Sequence, residues 1–336
     1  MRLRGHGLVV RAIVTLASVG FGCSPAKTPP KVTLAPLETT RLTSLAPGPG
    51  SRWVVALRPR TLFASKLAAP IAKIVPEKGL DRLSKLVGFD VRQANDVLIV
   101  GYASANLYAA HLPDGTSPGA AVDAFELRIL PPSGRASPRP DVVRAWGSTA
   151  DGARASLVGL WSSKGDAVVG EAGRLGPIAA TMALATGKLA PTRALSAQAP
   201  FAELARWAGD AEVAMFARCP LTELGADALG SAAPPVVATE CEGAGITARS
   251  LEGGKVGIAL HVTGRWGTDA EAARKELTTI LERVTKSDLG KALGLETKPI
   301  VTASESAVDA SIELAAATVA DGLHKLVAAD VSELLK

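Results

Sequence analysis

Along KVGIALHVTG the chain alternates. Val256, Ile258, Leu260 and Val262 fall on one side, and Gly257, Ala259, His261 and Thr263 on the other, the period of a strand with one apolar face. The pattern then changes period. Ala273, Leu277, Ile280, Leu281 and Val284 recur at helical spacing, and Thr268 with Glu271 spells a T-x-x-E capping box at the expected start of that helix. AVDASIEL alternates again, with Val308, Ala310, Ile312 and Leu314 on one face, and TVADGLHKLV predicts the last substantial helix. Upstream, RWVVALRP predicts a strand ending at Pro59, and TLFASKLAAPIAKIV and GLDRLSKLVG predict helical segments. DVLIVGYA and NLYAAHLP predict two strands, and AAVDAFELRIL a helix with Val122, Phe125 and Ile129 inward. VVRAWGS, ARASLVGLWSS and DAVVGEAG predict a small antiparallel set, closed by a helix over GPIAATMALATGKL. FAELARWAG predicts a short helix and AEVAMFARCPLTEL a strand running into another helix.

Strands in antiparallel sets beside amphipathic helices make the fold class α+β. Both halves open on a strand that leads into a helix, pass through antiparallel strands and end on an amphipathic helix. RWVVALRPRTLF and AEVAMFARCPLTEL are the most similar openings. Two related halves are therefore expected, each of antiparallel strands packed on helices. LAPTRALSAQAP, residues 189–200, has Pro191 and Pro200 and neither periodicity, so it is the expected linker between a first domain over 51–188 and a second over 201–336.

The start of the chain is different in kind. AIVTLASVGFGC is apolar but about half the roughly 20 residues needed to span a bilayer, and Arg2, Arg4 and Arg11 precede it with no acidic residue. That is the make-up of a signal peptide over residues 1–22. With Gly20, Phe21 and Gly22 ahead of Cys23, the segment resembles a bacterial lipoprotein signal. The resemblance implies that Cys23 is lipidated and becomes the mature N-terminus, although Gly20 and Phe21 depart from the usual residues at those places. Ordinary cleavage after Gly22 or Ala26 is the alternative. Residues 23–50, rich in Pro, Thr and Ser, are expected to be the lipidated N-terminus and a disordered tether. Ser24 resembles the sorting signal that sends lipoproteins to the outer membrane, facing the periplasm.

Cysteine count agrees with export. With Cys23 acylated, Cys219 and Cys241 remain as an even pair, expected to form a disulfide, the alternative being two unpaired thiols. Their flanks, ARCPL and TECEG, lack the C-x-x-C spacing of redox or zinc sites. The formal charge of +5 falls to +2 when Arg2, Arg4 and Arg11 leave with the signal, and no block of Lys or Arg remains. Nucleic acid is excluded as a partner on that ground.

The order GDAVVGEAGRLGPIAATMALATGKLAPTRALSAQAPFAELARWAGDAEVAMFARCPLTEL resembles exported bacterial proteins of unknown function of the DUF3352 type. Val168, Val169, Gly170, Pro200, Phe201, Leu204 and Ala211 to Phe216 carry the likeness over about sixty residues. It implies an exported α+β protein with two related halves and nothing about chemistry.

Catalytic motifs are absent. His6 leaves with the signal, and His111, His261 and His324 stand singly, without ligand spacing. No G-x-S-x-G surrounds a serine, and Ser24-Pro25-Ala26-Lys27 spells S-x-x-K without companions. Gly170, Gly173 and Gly176 lack the close first pair of a dinucleotide fingerprint, leaving at most an anion-binding turn beside Arg174. Glu240 and Glu242 belong to no convergent set. Trp146, Trp161 and Trp207 are large residues in an Ala-rich chain and could line a groove. No catalytic residue, metal ligand or cofactor is expected. The sequence therefore points to a cell-envelope lipoprotein held at the membrane by its lipid, working by binding or assembly with an envelope partner. The alternatives are an envelope hydrolase whose residues converge only in space, and a carrier of a small apolar ligand.

Overall fold

The computed structural model describes, with short gaps, residues 36–65, 89–116, 129–130, 148–149, 159–170, 176–219 and 237–328, and isolated positions between 68 and 84. The signal peptide, Cys23, the S-x-x-K, Arg174, Trp146 and the side chains of Trp161 and His324 lie outside the described residues. Among those that are described, no helix is long and apolar enough to cross a membrane.

The strands are β1 (Ser51–Leu57), β2 (Asp96–Tyr102), β3 (Asn106–His111), β4 (Ile129–Leu130), β5 (Ser148–Thr149), β6 (Gly159–Ser163), β7 (Asp166–Gly170), β8 (Val213–Arg218), β9 (Cys241–Leu251), β10 (Lys255–Gly264), β11 (Ile300–Ala303) and β12 (Ala307–Ala315). The α-helices are α1 (Arg41–Leu45), α2 (Pro59–Ala64), α3 (Gly176–Ala185), α4 (Phe201–Ala208), α5 (Ala270–Lys286), α6 (Asp288–Ala292) and α7 (Ala316–Ala328). The fold class is α+β.

The chain divides into two compact units. The first gathers Val32–Thr61 and Asp81–Phe216; the second holds Leu62–Leu80 and Ala217–Lys336. In the first unit the strands lie in the order β8-β1-β2-β3-β7-β6. Pairing is antiparallel from β1 through β2, β3 and β7 to β6. Val54 and Ala56 of β1, Leu98 and Val100 of β2, and Leu107 and Ala109 of β3 fall on one face, by the period-2 rule and the observed register. That face packs against Leu42 and Leu45 of α1, Ile178 of α3, Leu195, and Phe201, Leu204, Ala205 and Ala208 of α4. Trp207 is half-buried against the same cluster. Trp53 lies directly across from Gly101, whose missing side chain leaves room for the indole: a Cβ there would come within 2.0 Å of the ring.

Residues 36, 37 and 40–50 are folded, which corrects that part of the tether expected over 23–50; residues 23–35 lie outside the described residues. Their scattered aliphatics have a place in the core: Leu37, Leu42, Leu45 and Ala46 are all buried. The backbone is tied as well, with Leu37 N donating to Gly209 O at 2.7 Å and Gly48 N to Arg193 O at 2.9 Å. Residues 189–200, read as a linker, form two 3-10 turns at Pro191–Arg193 and Leu195–Ala197. Ala194 and Leu195 are buried, and the compact division falls between Phe216 and Ala217.

In the second unit the strands lie in the order β9-β10-β12-β11, all antiparallel. Ala244, Leu260, Val262, Val308 and Ala310 gather with Trp266 and with Ala273, Leu277, Ile280 and Leu281 of α5. The stripe read from sequence is thus the packed face of α5. Its start differs from the expected capping box. A 3-10 turn at Gly267–Asp269 precedes the helix, the N-cap is Asp269 with no side-chain cap, and Glu271 instead takes two bonds from Arg274 at 2.6 and 2.7 Å. Two strands escaped the sequence reading, β9 and β11. Ile129 also differs: it lies in β4, paired with Thr149, rather than on a helix.

Candidate functional site

Register, rather than sequence proximity, assembles the most polar feature of the first unit. Asp96 on β2 is paired with His111 on β3, and His111 with Asp166 on β7. Directly paired residues share a face, so the three stand in a row, on the same face as the apolar Leu98 and Ala109. Arg58, one residue past β1, closes the row at one end, with Nε 3.3 Å from Asp96 Oδ1. Arg41, the first residue of α1, closes it at the other, with Nε 2.5 Å from Asp166 Oδ2. Between them, His111 Nδ1–H donates to Asp166 Oδ1 at 2.8 Å.

The burial is uneven. The Asp166 side chain is 0% exposed and Arg58 2%, whereas Arg41 remains 43% exposed and His111 36%. Burial pushes the Asp166 carboxyl above its ordinary range, against the downward pull of the His111 bond and of Arg41. Asp96 is likewise pushed up by burial, against the pull of Arg58 and His111. Loss of hydration therefore outweighs pairing for both acids. Tyr102, at the other end of β2, is also raised by burial, and its hydroxyl donates to Pro47 O at 2.7 Å.

The second unit carries a counterpart. His261 on β10 is paired with Asp309 on β12, and its Nδ1–H donates to Oδ1 at 2.7 Å. The neighbour of His261 on β9 is Gly245, and the neighbour of Asp309 on β11 is Thr302. Here the burial is reversed, with the imidazole 10% and the carboxylate 44% exposed. His261 faces away from the Leu260 and Val262 side, as its place in the alternation implies.

A His Nδ1 held by a carboxylate is the orienting half of a nucleophile-activating arrangement, which needs a hydroxyl or thiol on Nε2 to complete it. Among the described residues the His111 side chain bonds to Asp166 alone. No group of three or more His, Cys, Asp or Glu able to hold a metal ion occurs among the described residues. A cavity of ≈ 20 Å³ lies among Leu37, Thr43, Val54, Leu98, Phe201 and Phe216, room for about one water.

No protein-family model, curated protein or solved structure matches this chain. Its residues therefore carry the functional reading by themselves. Of the residues singled out from sequence, Cys219 and Cys241 are brought together: they are bonded, with Cα atoms 5.5 Å apart. Glu242 pairs with Arg265 at 2.6 Å on the surface. The two His–Asp pairs were not read from sequence, because their members are 55 and 48 residues apart. A faint signal exists. Ala109-Ala110-His111 and Ala259-Leu260-His261 share A-x-H, and Asp166-Ala167 and Asp309-Ala310 share D-A.

Proposed function

We propose that this chain is an exported, lipid-anchored envelope protein whose folded part binds or assembles with another envelope component rather than catalysing a reaction. The observation that carries the reading is the bonded pair Cys219–Cys241, with Cα atoms 5.5 Å apart. A structural disulfide belongs to an oxidising compartment. The basic n-region and short apolar run ahead of Cys23 supply the route there, and acylation of Cys23 would supply the anchor, most simply at the outer membrane. The cavity beside Leu37, Thr43 and Phe201 has room for about one water, less than a carried ligand needs, and among the described residues the His111 side chain bonds to Asp166 alone.

We also read the two halves as copies of one ancestral unit. In support, β2-β3-β7-β6 and β9-β10-β12-β11 have the same order, and in each the third strand listed leads into a helix, α3 or α7. Both units also place a His–Asp pair at the same register position, so that Ala110 meets Ala167 one step on as Leu260 meets Ala310.

Intact mass of the membrane-extracted protein tests the first reading. A chain beginning at Cys23 with diacylglyceryl and acyl groups, and two thiols alkylated only after reduction, is the expected result. An unacylated N-terminus removes the anchor.

A further inference from the structure

The contact between Arg41 and Asp166 does more than pair two charges, because Arg41 belongs to a segment that crosses the apolar face from outside the sheet. The described residues of 36–48, all but 38 and 39, rest on that face through Leu37, Leu42, Leu45 and Ala46, and are held at the far end by Tyr102 Oη on Pro47 O and by Leu195 N on Ala46 O at 2.8 Å. Their packing is incomplete: the ≈ 20 Å³ cavity is bounded on one side by Leu37 and Thr43 of this same segment. The only side-chain ion pair described for the segment is the one from half-exposed Arg41 to fully buried Asp166.

We propose that residues 36–48 are a strap whose docking on the first unit is gated by the charge on Asp166, tighter when that carboxyl is neutral and looser when it is ionised. Among the described residues, the groups facing Asp166 are His111 from β3 and Arg41 from the strap, with Asp96 and Arg58 beyond His111. Its neighbour on β6 is Ser163, and α3, packed on β3 and β7, brings no ionisable residue. With the strap down, Asp166 is sealed at 0% exposure and its ionised form loses water that Arg41, itself half-exposed, replaces only in part. Lifting the strap returns water to the carboxylate. The docked state therefore holds the proton more tightly than the lifted state, and by linkage docking weakens as pH rises through the raised titration of Asp166. The inference stands whether or not Cys23 is acylated.

Hydrogen exchange of the full mature chain, followed by mass spectrometry at pH 3.5, 5.5 and 7.5, tests this. Rates for peptides over 37–48 are corrected for intrinsic exchange and referred to peptides over 97–100. The expected result is a loss of relative protection of about threefold to tenfold from pH 3.5 to 7.5, one pKa unit corresponding to tenfold. Asp166→Asn should hold protection at the low-pH level throughout, and Arg41→Gln, at a half-exposed site, should steepen the loss. Protection that is independent of pH in the wild type, that rises with pH, or that falls equally in Asp166→Asn would overturn the proposal.

Discussion

The two His–Asp pairs differ in which partner is hidden. In the first unit the carboxylate is sealed and the imidazole half-open; in the second the imidazole is nearly sealed and the carboxylate half-open. A buried imidazole can give up its charge near neutral pH, whereas a buried carboxylate stays charged unless its surroundings raise its pKa. The first unit accordingly surrounds Asp166 with Arg41 and His111 and extends the row to Asp96 and Arg58, while in the second sheet the strand neighbours of His261 are Gly245 and Asp309. The same pair at the same register thus carries different weight, set by which charge must live without water.

The comparison predicts a graded set of effects. The largest belongs to Arg58→Ala, which strips Asp96 of a 2%-exposed cation; chemical denaturation should show the first unit losing about 3–5 kcal/mol, the range for breaking a buried ion pair from one side. A loss under about 1 kcal/mol would mean that the row is solvated. Next, Cys219→Ser with Cys241→Ser, or reduction of the wild type, should cost the second unit about 3 kcal/mol from the loop freed in the unfolded chain, and should leave the midpoint of the first unit in place. Gly101→Ala pushes a methyl into the Trp53 ring and should cost about 1–3 kcal/mol, with a shift in Trp fluorescence. The smallest effect is in pH. The folded-state pKa values of Asp96 and Asp166 are raised, so the stability these groups contribute is full below the ordinary Asp range and is lost as pH rises through their folded values. Denaturation midpoints measured from pH 4 to 8 should show that fall in the wild type and a shallower one in Asp166→Asn.

Much of this architecture is legible in the chain. The alternation of Val256 to Val262 and the stripe from Ala273 to Leu281 give β10 and α5 directly, because each has one apolar face on one core. β9 was hidden since CEGAGITARSL puts Gly243 and Gly245 where a strand usually shows branched residues, and its length comes from pairing with β10 rather than from its own pattern. Residues 36–50 were misread for a related reason: Leu37, Leu42 and Leu45 are too few to show a period, and only the core beneath them gives them a role. The charged row was illegible because it is a property of register. Asp96, His111 and Asp166 come from three strands, and nothing local marks them as neighbours.

The central claim is that burial of the acid, not the bond itself, sets the worth of each pair. Double-mutant cycles measure this directly, with His111→Gln and Asp166→Asn in one and His261→Gln and Asp309→Asn in the other, each read by chemical denaturation at pH 7. The account predicts a coupling of about 1.5–3 kcal/mol for His111 with Asp166, as for a charge-assisted bond to a sealed carboxylate, and about 0.5–1 kcal/mol for His261 with Asp309. Equal couplings, or a stronger one at His261, would contradict it.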